Sequence, residues 1–359
     1  MRILVTGAGG LIGRELVGVL SGRGHGVVAL QHRSTALRRN DGATIPSAPW
    51  TGHAPRPGAV LTLSGDVRRP GLGLDAAAGA ALCDGLDLLI HCAALTSFNL
   101  DPPAYRAVNV GGIANAIAFT DGPQTPLLHV STAYVCGLRD GPIREDELDA
   151  GQAYANGYEA SKAEGERLLA AARSRGRRVA VARPSVVVGA SGDGVIGGFG
   201  SFYGMLRLVA EGRIPVLPAR PGASLALVPI DHVVAGLTDI AERMAEAAGR
   251  TFHLVSGAPV PVAGLLALRD HYPQLQAPRF VSPEAFDPGA LTPTQQQVHA
   301  QATGLLAGYL QRDPRFSDAN LRALSGRACP PTDGRFLRRL IDHCLAAGYI
   351  QPRNRGAAA

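Results

Sequence analysis

The chain has one lysine, Lys162, and Tyr158 stands four residues before it. Lysine and arginine together number 35, so all the others of these 35 residues are arginines. Residues at this spacing lie on one face of a helix, and the run from Tyr158 to Ala172 is rich in helix formers. Lysine has a compact charge on a thin stem that packs beside a phenol, whereas the guanidinium of arginine is broad and planar. The pair predicts proton-transfer chemistry, with a solvated Tyr–Lys pair on a surface helix as the alternative.

A glycine-rich turn follows the first apolar segment. Residues 2–6 are rich in β-branched residues and predict a strand. The next segment contains Gly7, Gly10 and Gly13. Apolar residues then recur with the period of a helix as far as Leu20. Glycine lets the backbone turn tightly and approach a pyrophosphate, whose charge is held by N–H groups at the start of the helix. A glycine triplet alone is a weak signal, but the order strand, turn and helix predicts dinucleotide binding.

These two motifs together resemble the short-chain dehydrogenase/reductase (SDR) superfamily, in its extended branch. Further segments match the family in order up to about residue 235: 64–67, 91–94, 109–110, 129–135 and 183–185. Three segments are most similar to the thioester-reductase and fatty-acyl-reductase group of male-sterility type: 65–74, 130–135 and 227–234. The resemblance fades after about residue 260.

Strand candidates alternate with helical stretches in the first half of the chain: 2–6, 26–31, 59–64, 86–92, 126–131 and 179–183. This alternation predicts an α/β fold with a doubly wound parallel sheet of Rossmann type. We expect residues 1–188 to form mainly the NAD(P)-binding core and 189–359 mainly a smaller substrate-side lobe, interleaved as one SDR unit. Helices are predicted in that lobe at 231–246, 295–311 and 334–347.

Two irregular stretches interrupt this pattern. Residues 40–58 are rich in proline and glycine and predict a long surface loop. Residues 189–204 carry seven glycines and follow the last strand candidate. They predict either a mobile lid over the substrate or a simple exposed loop.

The resemblance implies a catalytic set of Thr132, Tyr158 and Lys162. Hydride transfer to a carbonyl leaves negative charge on oxygen, so a proton donor and a hydrogen-bond donor must converge there. Tyr158 is the expected acid, and Lys162 is expected to lower its pKa and to hold the ribose beside the nicotinamide. Thr132 is the expected second donor. Ser131 is its rival, because adjacent strand residues face opposite sides.

The cofactor-binding residues implied by the resemblance follow the same motifs: Gly7, Gly9, Gly10, Leu11, Ile12, Gly13, Arg33, Asp66, Val67, Cys92, Ala93, Ala94, Asn109, Ser131, Tyr158, Lys162, Pro184, Ser185 and Val186. NAD-selective folds usually have a carboxylate at the end of the second strand. Here His32 and Arg33 stand there, so we expect NADP(H) over NAD(H), with Arg33 binding the 2′-phosphate, helped by Arg38 or Arg39. A solvated Arg33 is the alternative.

Composition narrows the class of protein. Apolar residues make up 46% of the chain and charged residues 18%, as in ordinary globular proteins. The formal net charge of +6 would assist an encounter with an acidic acyl carrier protein, or reflects arginines spread for solubility. Aromatic residues do not interleave with basic clusters, which argues against nucleic-acid binding. Five cysteines lack paired ligand spacing, so no metal is expected.

The sequence also bears on location and assembly. The sequence starts directly with the first strand and has no apolar run long enough for a bilayer, so we expect neither a signal peptide nor a membrane span, and a cytoplasmic protein. The resemblance makes a homodimer through helices 102–120 and 158–173 an option.

Three functions are consistent with the sequence. The resemblance implies an NADPH-dependent oxidoreductase that reduces a carbonyl or an acyl thioester carried by coenzyme A or a carrier protein. The alternative enzyme is an NAD-dependent nucleotide-sugar epimerase or dehydratase of the extended SDR type. A non-catalytic dinucleotide sensor is less expected, because sensors on this fold commonly lose the Tyr–Lys pair that this chain retains.

Overall fold

The structure is a computed structural model that describes residues 1–32, 36–98, 100–121, 124–266 and 270–351. Within these residues the strands are β1 (Arg2–Thr6), β2 (Gly26–Gln31), β3 (Ala48–Pro49), β4 (Val60–Ser64), β5 (Leu88–His91), β6 (Leu127–Val130), β7 (Gly141–Ile143), β8 (Val179–Pro184), β9 (Val186–Val188), β10 (Val216–Pro218), β11 (Ser224–Leu225), β12 (Leu227–Pro229), β13 (Thr251–Leu254), β14 (Val260–Pro261), β15 (Arg279–Val281) and β16 (Pro314–Phe316). The α-helices are α1 (Leu11–Gly22), α2 (Ala76–Cys83), α3 (Pro102–Tyr105), α4 (Gly111–Asp121), α5 (Gly157–Ser174), α6 (Ser201–Ala210), α7 (Ile230–Glu242), α8 (Met244–Ala247), α9 (Val262–Leu266), α10 (Pro293–Leu306), α11 (Ala319–Ser325) and α12 (Gly334–Ala346).

Eight parallel strands form the central sheet, in the order β13-β8-β6-β5-β1-β2-β4-β3. All six predicted strands are present, and their ends agree with the prediction within two residues. Strands β2, β5, β6 and β8 are buried along their whole length, as continuous apolar runs require in a sheet covered on both faces. The predicted α/β fold of Rossmann type is confirmed.

The sheet reverses its direction of growth between β1 and β5. The chain first adds β2, β4 and β3 on one side of β1, and then adds β5, β6, β8 and β13 on the other. In open parallel sheets, ligands bind beyond the carboxyl ends of the strands at such a switch point. Gly7 follows β1 and Cys92 follows β5, so both lie there.

The second half of the chain forms a smaller lobe and also completes the sheet. Short strand pairs build the lobe: β9 with β12, β10 with β15, and β11 with β14. Strand β13 returns to the edge of the central sheet beside β8, and α7 packs against α1. Because the halves interleave, the division at residue 188 stays a prediction.

Several local features differ from the predicted pattern. The proline- and glycine-rich loop at 40–58 contains β3, a two-residue edge strand paired with β4. The long helix predicted at 102–120 contains a π-helical segment, Arg106–Val110, between α3 and α4. The helix predicted at 231–246 is divided into α7 and α8. Among the described residues, no helix has the length and apolar character needed to cross a membrane.

Candidate active site

A cavity of about 300 Å³ lies at the switch point. We call it the active-site cavity, and the predicted site residues that line it are Gly7, Gly10, Leu11, Ile12, Gly13, Cys92, Ala94, Ser131, Thr132, Tyr158, Lys162, Pro184, Ser185 and Val186. These residues come from five separate segments of the chain. The central sheet brings the segments together because the strands that precede them end at the same edge.

The glycine turn forms one end of the cavity. Gly7 has a φ of +66°, and a Cβ atom on it would lie 2.6 Å from the backbone nitrogen of Ala93. A Cβ atom on Gly13 would lie 2.2 Å from the carbonyl oxygen of Gly7. Gly10 precedes α1 and supplies no side-chain cap. The first N–H groups of this helix are therefore free to bind an anion at the cavity wall, as a pyrophosphate requires.

Unpartnered polar atoms also fit a polar ligand. Among the described residues, the hydroxyls of Ser131 and Ser185 and the side-chain amide of Gln31 are buried without a hydrogen-bond partner. Ser131 and Ser185 line the cavity, and Gln31 is the last residue of β2. Buried polar groups are rarely left unpaired. Their placement therefore matches a dinucleotide extending from the end of β2 toward β6 and β8.

Some predicted cofactor residues lie outside the cavity lining: Gly9, Asp66, Val67, Ala93 and Asn109. The carboxylate of Asp66 accepts two hydrogen bonds from Arg68 Nε and one from its Nη2, at 2.8–3.1 Å. These bonds lower the pKa of Asp66 to about 2. Arg33, predicted to bind the 2′-phosphate, lies outside the described residues. Of its two predicted helpers, Arg38 is exposed and Arg39 forms an ion pair with Glu15 at 3.0 Å.

Asn109 connects two parts of the site. Its Nδ2 donates to Ser161 Oγ at 2.9 Å and to the Leu95 carbonyl at 3.0 Å, and its Oδ1 accepts from the Leu95 N–H at 2.8 Å. Ser161 directly precedes Lys162 in α5. Asn109 therefore holds the loop after β5 against the helix that carries Tyr158.

Tyr158, Lys162 and Thr132 converge on the cavity. Helix α5 begins beside Asn156, whose Oδ1 accepts the N–H of Glu159 at 2.9 Å, so Tyr158 lies in its first turn and Lys162 in the next. Thr132 follows the end of β6, and its hydroxyl is close enough to that of Tyr158 to act to lower the pKa of the phenol. The arrangement places two hydroxyl groups side by side in the cavity wall, as a site for a carbonyl oxygen requires.

Both Ser131 and Thr132 line the cavity. The sequence predicted that only one of the two would face the substrate, from the alternation of side chains along a strand. Strand β6 ends at Val130, and Thr132 is the cap of a 3₁₀ turn, where its Oγ1 accepts the N–H of Tyr134 at 3.3 Å. The alternation along β6 therefore ends before these two residues, and the choice of Thr132 over Ser131 as the hydroxyl that faces the substrate stays a prediction.

The pKa of Tyr158 also departs from expectation. Burial raises it to about 12, and the neighbouring hydroxyl of Thr132 opposes this rise only in part. The predicted lowering by Lys162 is wrong for this arrangement, because the ammonium of Lys162 binds the Val130 carbonyl instead. Burial lowers the pKa of Lys162 to about 8. The phenol is thus held protonated, which is the state that a proton donor needs.

Two histidines for which the sequence predicted no role, the first residues of the matched segments 91–94 and 129–135, lie behind Lys162. Its Nζ is 2.8 Å from the Val130 carbonyl oxygen and 3.1 Å from His129 Nε2. The ring of His129 stacks on that of His91, with centroids 5.4 Å apart, and His91 Nδ1 lies 2.9 Å from Thr6 Oγ1. Burial lowers the pKa of both imidazoles, that of His91 to about 3. Since an ammonium only donates, the neutral His129 accepts its hydrogen bond.

An aromatic wall faces the catalytic tyrosine candidate. The ring of Phe98 lies 5.7 Å from that of Tyr158 and 5.8 Å from that of Tyr309, and Tyr309 packs edge-on against Tyr134 at 4.4 Å. All four rings line the cavity. Tyr309 comes from the part of the chain where the family resemblance has faded, so the sequence offered no signal for it.

The same C-terminal segment contributes a buried ion pair. Arg312 Nη2 donates to Glu159 Oε1 at 2.5 Å, and both side chains are almost fully buried. The guanidinium carbon lies 4.7 Å from the ring centroids of Tyr134 and Tyr309. Glu159 directly follows Tyr158, so this pair ties the C-terminal segment to the start of α5.

The chain matches a protein family over most of this architecture. Residues 5–237 match the family model of NAD-binding domains described as Male sterility protein. The chain is 26% identical to the isonitrile lipopeptide synthase of Streptomyces coeruleorubidus over 97% of its own length. It is 32% identical to the hybrid PKS-NRPS synthetase mpsA of Macrophomina phaseolina over 66% of its length. It spans only 25% and 6%, respectively, of the length of those two proteins.

Solved structures share the fold. The terminal R domain from the myxalamid PKS-NRPS biosynthetic pathway has a TM-score of 0.82 at 23% identity, covering 98% of this chain and 92% of that one. A complex of MoeE5 with UDP-glucose and NAD has a TM-score of 0.66 at 19% identity, covering 97% and 99%. The family match, which includes the glycine turn and the Tyr–Lys pair, carries more weight than these distant likenesses. The chain belongs to the male sterility protein family of NAD-binding domains.

Proposed function

We propose that this enzyme uses NADPH to reduce an acyl thioester, carried by coenzyme A or by a carrier protein, or a related free carbonyl. The observation that carries the proposal is the pair of hydroxyls, those of Thr132 and Tyr158, that line the wall of the active-site cavity. A carbonyl oxygen placed between them would meet two donors. The glycine turn at the other end of the same cavity suits a dinucleotide.

The chain's own groups would perform the proton chemistry. A bound reduced nicotinamide supplies a hydride to the carbonyl carbon. Tyr158 would give its proton to the oxygen as negative charge develops there, and Thr132 would donate a hydrogen bond to the same oxygen. Lys162 would hold the ribose hydroxyls through the N–H donors of its ammonium.

The cofactor would lie along the carboxyl ends of the strands. The first turn of α1 would hold the pyrophosphate, and the segment 184–186 would close over the nicotinamide. The proposal of NADPH is supported by the lack of a carboxylate at the end of β2, where Gln31 and His32 stand. Arg33 would bind the 2′-phosphate.

The lining of the cavity favours a thioester over a nucleotide sugar. Among the described residues that line it, Lys162 is the only one with a charged side chain. A sugar nucleotide carries its diphosphate directly on the reacting sugar, where such sites bind it with arginine or lysine, whereas the diphosphate of coenzyme A is separated from the thioester by the whole pantetheine arm. The substrate side offers instead Phe98, Phe202 and Tyr309, which suit an apolar acyl group.

Other features of the proposal concern the surroundings of the site. A basic net charge of +6 supports an acidic carrier protein as the source of the acyl group. The loop after β9 supplies Ile196 to the cavity wall, which supports its role as a lid. A homodimer and a cytoplasmic location stay predictions of the sequence.

The test is the loss of absorbance of reduced nicotinamide by the purified protein with a panel of acyl-CoA thioesters, aldehydes and ketones. We expect consumption with a thioester, with release of the free thiol. Consumption with free carbonyls alone would restrict the enzyme to carbonyl reduction. NAD retained through purification, with no net consumption, would contradict the proposal and favour the epimerase.

A further inference from the structure

A second, apolar cavity of about 110 Å³ lies in the smaller lobe. We call it the tail pocket, and define it by Met205, Leu206 and Val209 of α6, Leu217 of β10, Phe280 of β15 and Ile341 of α12. These elements are distant in sequence, so the pocket is a product of the tertiary fold. None of the residues assigned above to catalysis or cofactor binding lines it.

The chemistry of the tail pocket restricts its ligand. The described residues that line it include no charged side chain, and only Tyr272 and Gln276 have polar ones. The Tyr272 hydroxyl donates to Asp342 Oδ1 at 2.6 Å and is therefore engaged. A charged or strongly polar ligand would lose its hydration here without gaining partners. An aliphatic group has no hydrogen bonds to water to lose, so it can enter this pocket without that cost.

The tail pocket adjoins the active-site cavity. Phe202, in the first turn of α6, lines both cavities. Tyr309 lines the active-site cavity, and its neighbour Leu310 lines the tail pocket. From Phe202 to Val209 the helix rises roughly 10 Å. A ligand that passes Phe202 from the active site would therefore run along α6 into an apolar space.

We propose that the tail pocket binds the distal end of a linear aliphatic acyl chain whose thioester carbonyl lies between Thr132 and Tyr158. This inference rests on the proposed function and adds the place in the smaller lobe where the acyl chain would end and the residues that would set its length. Val209 and Met205 would set the accepted length, and Phe202 would form the passage between the two cavities. Each methylene that enters the pocket leaves water, which raises kcat/KM by about fourfold.

The experiment compares butanoyl-, octanoyl- and dodecanoyl-CoA as substrates. We expect kcat/KM of the unchanged enzyme to rise with chain length. Val209→Phe fills the pocket and should lower kcat/KM for dodecanoyl-CoA by roughly tenfold or more, while butanoyl-CoA is unaffected. Met205→Ala enlarges the pocket and should favour the longest chain. The control is Leu208→Phe, on the same helix but outside the lining, which should leave the length profile unchanged.

A binding measurement separates this inference from the proposed function. Dodecanoyl-CoA is titrated calorimetrically into the unchanged enzyme and into Val209→Phe. If no thioester is reduced, the proposed function fails, but weaker binding to Val209→Phe alone would still support the tail pocket. Equal binding to both proteins, or equal loss of kcat/KM for all three chain lengths, would overturn the inference.

Discussion

The ammonium of Lys162 lies 3.1 Å from Nε2 of His129 and has no carboxylate partner within hydrogen-bonding distance among the described residues. A lysine that is 1% exposed would ordinarily be paired with a carboxylate. Here the ammonium of Lys162 donates hydrogen bonds to a neutral imidazole and to the Val130 carbonyl. Burial lowers the pKa of Lys162 to about 8. The charge on which the proposed chemistry depends is therefore maintained by only two acceptors.

This contact predicts a pH effect. We expect kcat of the unchanged enzyme to fall as the pH rises through about 8, because Lys162 then loses its proton. His129→Phe removes an acceptor worth about 1.5–3 kcal/mol for a charged donor, so the falling limb should move down by about one pH unit or more. His129→Gln keeps an acceptor and should restore most of the profile. An unmoved limb in His129→Phe would show that the contact does not sustain the ammonium.

The proton donor is tested by removing one oxygen. Tyr158→Phe should lower kcat by about 100- to 10,000-fold, the usual contribution of a general acid, with little change in cofactor affinity measured by fluorescence titration. Tyr154→Phe is the matched control, because that hydroxyl bonds Gln152 and Arg167 outside the cavity. If Tyr158→Phe and Tyr154→Phe were equally active, Tyr158 would not be the acid.

Cofactor preference is tested at Arg33. A guanidinium that binds the 2′-phosphate contributes about 1.5–3 kcal/mol, so Arg33→Ala should lower kcat/KM for NADPH by roughly 10- to 100-fold. The value for NADH should stay the same, since NADH lacks this phosphate. Arg56→Ala, on the exposed loop, serves as control. A higher kcat/KM with NADH in the unchanged enzyme would contradict the proposed preference.

Much of the fold and part of the site follow from local sequence. The central strands are short apolar runs between turn signals, and their ends are correct within two residues. The glycine turn and the Tyr158–Lys162 pair can be recognised in the sequence because each consists of residues only a few positions apart. Both motifs line the same cavity, as the family order implied.

What the sequence missed depends on tertiary contacts. His91 and His129 are partners because β5 and β6 are adjacent and in register, which a motif does not reveal. The pKa of Tyr158 rises because the fold buries the ring, and Lys162 turns toward Val130 rather than the phenol. Arg312 meets Glu159 from 153 residues away.

Buried neutral histidines predict that acid destabilises the protein. Burial lowers the pKa of His253 to about 3, whereas the unfolded chain binds this proton near pH 6.5. The free energy of unfolding should therefore fall as pH decreases from about 6.5 to about 3, by up to about 1.4 kcal/mol per pH unit for this histidine. Urea titrations should show a shallower pH dependence in His253→Asn. His53 is exposed, so His53→Asn serves as the control. If the free energy of unfolding changed with pH as steeply in His253→Asn as in His53→Asn, His253 would not be the source of the pH dependence.

The ion pair of Arg312 and Glu159 predicts a large difference between single and double substitutions. Arg312→Met leaves a fully buried carboxylate unpaired and should lower the free energy of unfolding by about 3–5 kcal/mol. Replacing both residues by Met and Leu removes the unpaired charge and should recover much of that loss. Arg144→Met breaks an exposed pair with Asp146 and should cost less than about 1 kcal/mol.

Urea unfolding and steady-state kinetics, measured together on the three variants, separate two roles for the ion pair. If it mainly stabilises the fold, the double variant should recover both stability and kcat. If it also positions Tyr158, which lies next to Glu159, the double variant should fold stably yet keep a reduced kcat with an unchanged KM. We expect the second result, because the pair is the contact that ties the C-terminal segment to the first turn of α5. If Arg312→Met lowered the free energy of unfolding by no more than Arg144→Met does, both roles would be contradicted.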